Sequence, residues 1–329
     1  MKSLYISRQG CYLSLQKELL LVKQQNTVIQ EVQLPLIEQI LIFGKSQITT
    51  QVIRSCLERK IPIIYLSRMG YCYGRLLSIE SGYRQLIRYQ QQLTPLDKFL
   101  VAKTIVKTKL KNSRTFLLRQ QRRYPETNLK IALDSLQYLI EKTEKVEEIE
   151  QLMGLEGAGA AQYFPAFGEC IKNPDFPFLK RTRRPPTNPV NSLLSFGYQV
   201  LWNHLLSLIE IQGLDPYYAC LHQGSERHAA LASDLIEEFR TPLIDSLVLW
   251  LINSKIMDIN DDFTYKEGGC FLNEKGRPKY LQYWLQKMSE NIKIKQEDQP
   301  RWHLLNYQIK LFKNFIYNPS ANYQPYLIR

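Results

Sequence analysis

Five side chains that carry oxygen atoms share one face of a predicted helix between residues 234 and 245. At about 100° per residue, the acids of this stretch project to one side, and its leucine and phenylalanine side chains project to the other. The polar members are Asp234, Glu237, Glu238, Thr241 and Asp245. Surface helices usually balance such acids with a base four residues away, but the only base nearby is Arg240, on the apolar side. The acidic face therefore indicates a site for a cation.

His222 can join these acids only if the chain bends between them. In one straight helix, His222 and Glu237 would lie about 22 Å apart, because each residue adds about 1.5 Å. Gly224 and Ser225 predict a break in this stretch, and we expect a new helix to be capped by Ser233 or an earlier residue. The imidazole would then face the acids from the end of the preceding segment.

The residue types favour an oxygen-preferring divalent cation. Asp234 and Glu237 lie on one helix face, and with His222 they make a donor set typical of Mn²⁺ or Mg²⁺ sites. Cys220 and His228 keep a zinc site open as an alternative, although no recognised zinc spacing is present. On the residues alone, a single histidine is more often structural than a ligand.

Glu156 stands among small residues in the sequence GLEGAGAAQYF. Gly154, Gly157 and Gly159 allow a backbone or a ligand to approach closely, so this carboxylate can reach a site that bulkier neighbours would block. The spacing matches neither a dinucleotide-binding fingerprint nor a P-loop. A tightly packed turn of helix remains the alternative.

Basic residues are concentrated in two stretches. Residues 94–124 hold nine bases against the single acid Asp97 in a helical pattern, and residues 180–184 hold four bases before a proline-rich turn. We expect phosphate contacts from both stretches, with a solvated helix face and a solvated loop as the alternatives. The candidates for these contacts are Lys103, Lys107, Lys111, Arg114, Arg181, Arg183 and Arg184.

A helix that begins near Pro189 carries polar atoms on one face. Asn191, Ser195 and Tyr198 recur at intervals of four and three residues, so they lie on the same side of this helix. If the helix packs on the acidic one, we expect Asn191 and Tyr198 to hydrogen-bond to residues of the site. Ordinary hydrogen bonding between helices is the alternative.

The elements that position these residues change character near residue 82. Residues 1–82 are predicted to form short strands separated by glycine turns, with one helix near residues 48–59. Residues 83–329 show long stretches of helical period broken by prolines. The sequence therefore predicts an α+β fold, with a small N-terminal β-rich domain as scaffold and interface and a larger all-helical catalytic domain. Pro242 lacks an amide donor, so we expect a kink within the acidic helix.

Charge and cysteine content narrow the classes of function. The chain of 329 residues has a net charge of +12 at pH 7, which favours polyanionic partners. Its six cysteines include no CxxC pair, so neither a zinc ribbon nor a disulfide framework is indicated, and a reduced cytoplasm is the expected compartment. We find neither an apolar signal segment nor a run that could span a bilayer, so secretion and membrane insertion are not expected.

Three blocks of the sequence together resemble a known family. GLEGAGAAQYF, RRPPTNPVNSLLSFGY and LHQGSERHAALASDLIEEFRTPLID stand in an order and spacing similar to CRISPR-associated protein one, the integrase and endonuclease of spacer acquisition. The resemblance covers essentially the whole chain. It departs from the family pattern at Gln223, Gly224 and Ser233, where a more basic, proline-containing loop and an aliphatic residue are expected. These departures concern loop contacts rather than the metal site.

The resemblance implies a site, an assembly and partners. Glu156, His222 and Glu237 match the family's catalytic metal ligands for Mn²⁺ or Mg²⁺, with Asp234 as a possible additional acid of the site. The implied assembly is a homodimer, with the N-terminal domain at its interface, that works with CRISPR-associated protein two. The implied substrate is double-stranded DNA, both protospacer and CRISPR repeat, and the two basic stretches would bind its backbone.

The implied reaction is phosphodiester cleavage and strand transfer, in which a protospacer 3′-hydroxyl attacks the boundary of a repeat during antiviral defence. One alternative is a non-catalytic nucleic-acid-binding scaffold of the same adaptation complex. Another is an unrelated metallohydrolase that acts on a small substrate, which would leave the bases of residues 94–124 without a role.

Overall fold

The structure, a computed structural model, describes residues 2–6, 8–67, 72–78, 84–225, 228–294 and 296–328. The chain divides into two compact units. One contains Met1–Arg84 together with Tyr280–Leu304, and the other contains Gln85–Lys279 together with Leu305–Arg329. Residues 280–304, which the sequence assigned to the helical part, thus cluster with the N-terminal unit. The division into a scaffold domain and a catalytic domain stays a prediction.

The N-terminal unit is built on two four-stranded sheets. Its first strands are β1 (Lys2–Ile6), β2 (Cys11–Gln16), β3 (Leu19–Gln24), β4 (Thr27–Gln33), β5 (Ile37–Phe43), β6 (Ser46–Ile48), β7 (Ile63–Leu66) and β8 (Cys72–Leu76). One sheet has the order β1-β5-β7-β8 and the other the order β4-β3-β2-β6. In the first sheet, β1, β5 and β7 are parallel, while β8 runs antiparallel to β7.

The pattern of burial explains these strands. On β2, Cys11 and Leu13 are buried while Tyr12 is exposed, as expected for a strand with one face on a core. Strand β5 has a parallel neighbour on each side and is buried along nearly its whole length. The predicted N-terminal strands are confirmed. The predicted helix is α1 (Thr50–Glu58), which begins where the Thr49 side chain accepts a hydrogen bond from Val52 N.

Helices dominate the rest of the chain. They are α2 (Arg84–Gln91), α3 (Pro95–Arg123), α4 (Lys130–Lys142), α5 (Ile149–Glu169), α6 (Pro189–Ile211), α7 (Ala230–Ile236), α8 (Ser246–Asn253), α9 (Gly276–Ser289) and α10 (Trp302–Tyr317). Within the described residues, none of these helices has both the length and the apolar composition needed to span a lipid bilayer.

The prediction that residues 83–329 are all helical is wrong at two hairpins. Strand β9 (Phe263–Lys266) pairs with β10 (Gly269–Leu272), and β11 (Asn291–Ile294) pairs with β12 (Glu297–Pro300). Between β9 and β10, Glu267 and Gly268 both have positive φ, which is the geometry of a two-residue type I′ turn. The sequence signal was the pair of glycines at 268 and 269 between two short runs of strand-forming residues.

Helix α3 is the element on which the site residues converge. It begins with a capping box formed by Thr94 and Asp97, and it packs against α4 and α5. At Gly159 of α5, a Cβ atom would collide with the Leu110 side chain of α3. Glycine at this position therefore allows the two helices to lie close enough for their polar side chains to meet.

The acidic stretch is not one continuous helix. Helix α7 ends at Ile236, residues 237–239 form a turn, and Arg240–Asp245 is a π-helical segment that leads into α8. Pro242 lies within the π-helical segment, in agreement with the expected kink. The expected side-chain cap of this helix is wrong, because α7 begins before Ser233 and its N-cap residue is Ala229, whose side chain cannot accept a hydrogen bond. The carbonyl of Pro216 accepts a hydrogen bond from Leu231 N in the first turn instead.

Candidate active site

Glu237 lies at the end of α7 with its carboxylate almost fully buried. Arg240 Nε is 2.9 Å from Oε1, and the Lys109 ammonium on α3 is 2.5 Å from Oε2. Each oxygen of this carboxylate therefore contacts one basic side chain. Burial raises the pKa of Glu237, but the charges of Arg240 and Lys109 outweigh it and lower the pKa to about 2. Glu237 is therefore ionised at neutral pH.

Glu156 faces the same ammonium group from α5. Its Oε1 contacts Lys109 Nζ, so one lysine contacts both predicted metal ligands. The neighbouring Gly154 and Gly157 have open space where a Cβ would stand, whereas Gly159 is required for close packing on α3. Of the three glycines, Gly159 thus acts through the approach of α5 to α3.

Asp234 orients His222. Its buried carboxylate accepts hydrogen bonds from the backbone amides of Cys220, Leu221 and His222, at 2.7 to 2.9 Å, and from the His222 ring at 2.8 Å. Because three backbone amides donate to this carboxylate, it acts as an acceptor toward the ring as well, so Nδ1 of His222 carries a proton and Nε2 of the neutral ring keeps a lone pair. Both oxygens of Asp234 are occupied by groups of the protein itself, so the structure gives this acid a supporting position.

The pKa of His222 is raised above its usual value. Burial lowers this pKa, but the hydrogen bond and charge of Asp234, together with the charge of Glu237, raise it by more. His222 is therefore close enough to Glu237 for the two groups to interact electrostatically. The neutral ring, which is the form that can donate a lone pair, predominates only at pH values above this raised pKa.

The donor set suits a hard divalent cation, although the side chains do not converge as a ligand cluster. Among the described residues, no group of three His, Cys, Asp or Glu side chains is arranged to hold a metal ion. Lys109 lies between Glu156 and Glu237, which shows that the space between these carboxylates already attracts a cation. Two carboxylates and the Nε2 lone pair of His222 match the chemistry of Mn²⁺ and Mg²⁺. Metal binding by these three residues stays a prediction.

A buried polar cluster around Asp245 borders the site, and of its members the sequence did not single out Tyr163. Asp245 accepts hydrogen bonds from Tyr163 at 2.8 Å and from Tyr198 at 2.5 Å. The guanidinium of Arg240 lies 4.5 Å from the centroid of the Tyr198 ring. Tyr198 therefore contacts Arg240, and Arg240 in turn contacts Glu237.

Asn191 lies on the same helix as Tyr198 but bonds elsewhere. Its Oδ1 accepts hydrogen bonds from Arg181 Nη1 at 2.9 Å and from Thr182 N at 3.0 Å. These bonds fix the loop before α6. Of the two predicted partners of the site on this helix, only Tyr198 lies against a residue that contacts Glu237.

The predicted phosphate-binding residues divide into paired and exposed bases. Lys103 and Lys107 pair with Glu144, and Arg114 Nε donates to the carbonyl of Leu133 at 3.2 Å. The Arg181 guanidinium donates hydrogen bonds to the Thr182 carbonyl and to Asn191 and Ser195 of α6, and Lys111 is partly exposed. Arg183 and Arg184 are exposed. Exposed ion pairs are weak, so the pairing with Glu144 does not prevent contact with a phosphate.

Arg183, one of the exposed predicted bases, lines the same small cavity as the two bases that contact Glu237. A cavity of about 20 Å³, room for roughly one water molecule, is lined by Lys109, Ser113, Tyr198, Arg183, Arg240 and Thr241 among others. Arg183 thus connects the exposed loop with the bases that face Glu237.

Glu238, the residue after Glu237, contacts the C-terminal segment, residues 322–328. Glu238 accepts hydrogen bonds from the Tyr323 hydroxyl and from Tyr326 N, the latter at 2.7 Å. Asn112 on α3 donates to the carbonyls of Glu238 and Tyr326, and its side-chain oxygen accepts from Ile328 N at 3.0 Å. The C-terminal segment is therefore hydrogen-bonded to α3, which carries Lys109, and to Glu238, which directly follows Glu237.

Comparison with known proteins identifies relatives over nearly the whole chain. The family described as CRISPR associated protein Cas1 matches residues 4–286. The CRISPR-associated endonuclease Cas1 3 of Thermus thermophilus is 30% identical over 331 aligned positions, which cover 99% of this chain and 97% of the relative. A CRISPR-associated exonuclease Cas4/endonuclease Cas1 fusion of Geobacter sulfurreducens is 31% identical over 301 positions, covering 88% of this chain and 53% of the fusion. The chain therefore spans about half the length of that second relative.

The likeness extends to three-dimensional structure. A chain in a solved Cas6-RT-Cas1--Cas2 complex superimposes with a TM-score of 0.77 and 26% sequence identity. The superposition covers 99% of this chain and 36% of that chain. The mixed α+β fold, with N-terminal strands and a mainly helical C-terminal region, is thus shared with part of a chain in that complex.

Proposed function

This chain belongs to the Cas1 family of CRISPR-associated proteins, and on that premise we propose that it is a metal-dependent DNA endonuclease and integrase. The observation that carries the proposal is the pairing of Glu237 and Glu156 around a single cation, beside a histidine whose free nitrogen is fixed by Asp234. The residues that would hold Mn²⁺ or Mg²⁺ are Glu156, His222 and Glu237. When bound, such an ion supplies polarisation of the scissile phosphate and stabilisation of its developing negative charge.

The neighbours of these residues prepare them for this task. Asp234 keeps the proton of His222 on Nδ1, so that Nε2 is available as a ligand. Arg240 keeps Glu237 ionised and in place, and the ring of Tyr198 supports Arg240. These contacts orient the donor atoms before any ligand arrives, which reduces the cost of ordering them.

The substrate we propose is double-stranded DNA, as protospacer and as CRISPR repeat. A protospacer 3′-hydroxyl would attack a phosphodiester at the repeat boundary: a new O–P bond forms, and the bond from phosphorus to the leaving 3′-oxygen breaks. The attacking hydroxyl gives up its proton to water, and the leaving oxygen takes up one proton to become a new 3′-hydroxyl. Exposed Arg183 and Arg184 would contact the DNA backbone, and the net charge of +12 would favour the approach of DNA.

We further propose that the protein acts as a homodimer together with Cas2 in the cytoplasm. The partner is suggested by a structural relative that occurs in a Cas6-RT-Cas1--Cas2 complex. The N-terminal sheets would form the dimer interface.

The test is an integration assay with the purified protein, Cas2, Mn²⁺, a protospacer duplex and a repeat-bearing plasmid. Glu156→Ala, His222→Ala and Glu237→Ala are each expected to lower integration by at least about 100-fold, because each removes one donor of the cation site. Glu126→Ala is the matched control, since Glu126 is an exposed acid that pairs with Lys172, which is neither a predicted metal ligand nor a predicted DNA contact. Activity at the wild-type level in all three variants would exclude the assigned site.

A second candidate function is a non-catalytic DNA-binding scaffold of the same adaptation complex. The observation that favours it is the Lys109 ammonium, which satisfies the two carboxylates without a metal ion. A scaffold would bind DNA in a salt-sensitive way and give no metal-dependent product in the assay above.

A further inference from the structure

The ammonium group of Lys109 joins two carboxylates that belong to different elements. Its Nζ contacts Oε1 of Glu156 on α5 and lies 2.5 Å from Oε2 of Glu237, which follows α7. The exposed fraction of the side chain is 13% for Lys109, 3% for Glu237 and 23% for Glu156, so water screens the contact between Lys109 and Glu237 only weakly. Lys109 therefore holds together the two acids to which the proposed function assigns metal binding.

Both predicted metal ligands already have basic partners in the absence of a metal ion. Glu156 pairs with Lys109, and Glu237 pairs with both Lys109 and Arg240. Asp234 forms a separate pair with His222. A divalent cation between Glu156 and Glu237 would lie beside the Lys109 ammonium and would be repelled by it. The ammonium and the divalent cation therefore compete for the same two carboxylates.

Of the two bases, Lys109 is the one that can withdraw. Arg240 is held on one side by Glu237 and on the other by the ring of Tyr198, whose hydroxyl bonds to Asp245. Lysine has a flexible four-carbon stem and a strongly hydrated ammonium group, which favour movement over fixed geometry. Lys109 also lines the small cavity whose walls include the hydroxyl-bearing Ser113 and Thr241, and these hydroxyls can accept hydrogen bonds from an ammonium group.

We propose that Lys109 is a tethered counter-cation, which occupies the cation position in the metal-free protein and withdraws when the divalent ion binds. The inference rests on the proposed function, because it requires Glu156 and Glu237 to be metal ligands. It makes Lys109 a positioning residue with two effects. It keeps the carboxylates close together before the metal arrives, and its repulsion lowers the affinity for the metal.

The test compares Lys109→Met with the wild type in two measurements. In calorimetric titration with Mn²⁺, the variant is expected to have a dissociation constant at least about tenfold lower, because the competing charge is gone. In EDTA, its melting temperature is expected to fall by roughly 5 °C, since Glu237 loses a partner while buried. Saturating Mn²⁺ should raise the melting temperature more in the variant than in the wild type.

Lys107→Met is the matched control, because it removes the same charge from the same helix but from a pair with exposed Glu144. Its Mn²⁺ dissociation constant is expected to stay within about twofold of the wild type. If Lys109→Met does not fold in EDTA, Lys109→Gln provides a second neutral side chain that can hydrogen-bond to the carboxylates, with the same expected gain in affinity. General damage to the site would weaken Mn²⁺ binding, so tighter binding is a specific signature of lost competition.

Two different results would overturn the two proposals separately. Wild-type protein that binds Mn²⁺ at this site while Lys109→Met and Lys109→Gln bind it no more tightly would exclude the counter-cation role and leave the metal site intact. Absence of Mn²⁺ binding in the wild type and in all the Lys109 variants would instead exclude the metal site, and the counter-cation role with it.

Discussion

Glu237 and Glu238 are adjacent in the sequence and both buried, yet their carboxyl groups meet opposite surroundings. Glu237 contacts the Lys109 and Arg240 cations, whose charges outweigh the effect of burial and lower its pKa to about 2. Glu238 contacts the Tyr323 hydroxyl and the Tyr326 amide, and burial raises its pKa to about 8 despite these hydrogen bonds. Buried acids therefore differ in charge according to whether a cation accompanies them. Glu237 is kept ionised, whereas Glu238 is kept as a neutral acid.

The largest expected effect comes from removing the charge of each acid in turn. Glu237→Gln is expected to lower metal-dependent integration by about 1,000-fold, because a neutral amide neither balances Lys109 and Arg240 nor binds a hard cation well. Glu238→Gln removes a charge that is absent at neutral pH, so integration is expected to stay within about threefold of the wild type. The assay with Cas2 and a repeat-bearing plasmid measures both. Equal losses of integration in the two variants would show that the different surroundings of Glu237 and Glu238 do not affect function.

The contrast also predicts pH dependences of opposite sign. The pKa of Glu238 is raised from 4.5 to about 8, so the folded state binds this proton more tightly and stability falls as pH rises through that window. The pKa of Glu237 is lowered from 4.5 to about 2, so its contribution is lost as pH falls through that range. Between pH 5 and 8, the free energy of unfolding of the wild type should fall by about 3 kcal/mol because of this proton. Urea unfolding of Glu238→Gln should not show this decrease. Parallel stability profiles for the two proteins would refute the assigned environment of Glu238.

A smaller effect is expected from removing one of the two cations beside Glu237. Arg240→Met is expected to lower the free energy of unfolding by about 2 kcal/mol. This is less than the usual cost of removing one partner of a buried ion pair, because Lys109 still contacts Glu237. Arg54→Gln is the control, since Arg54 forms an exposed pair with Glu58 and should change stability by less than about 0.5 kcal/mol. Similar values from urea titration of the two variants would mean that Arg240 does not stabilise the buried carboxylate.

Local periodicity was sufficient for much of the fold and less informative for the site. The strands of the N-terminal unit follow from alternating burial, and Pro242 correctly marked the irregular segment of the acidic stretch. The predicted position of Arg240 on the apolar side of the helix was wrong, because a projection at a constant angle per residue assumes a continuous helix. Helix α7 ends at Ile236, and the turn that follows brings Arg240 back to Glu237. A change of helical phase depends on tertiary packing, which the spacing of residues does not contain.

Long-range pairing is the other property that the sequence conceals. Lys109 stood in the basic stretch as one of nine bases, and no local signal distinguished it from Lys103 or Lys107. Only the packing of α3 against α4, α5 and α7 reveals that Lys109 contacts two acids while Lys107 contacts Glu144. For the same reason, the Tyr163–Asp245 contact could not be foreseen, because its two partners lie 82 positions apart.

The bonding of the C-terminal segment to Asn112 and Glu238 has a consequence for how the protein folds. Asn112 and Ile328 are 216 positions apart, and Glu238 and Tyr326 are 88 apart, so these hydrogen bonds close very long loops. Contacts of such separation are slow to form, because the loss of chain entropy precedes the gain in bonding. Helices α3 and α7 are therefore expected to acquire their final spacing late in folding, and nuclease competence should appear after most helical structure has formed.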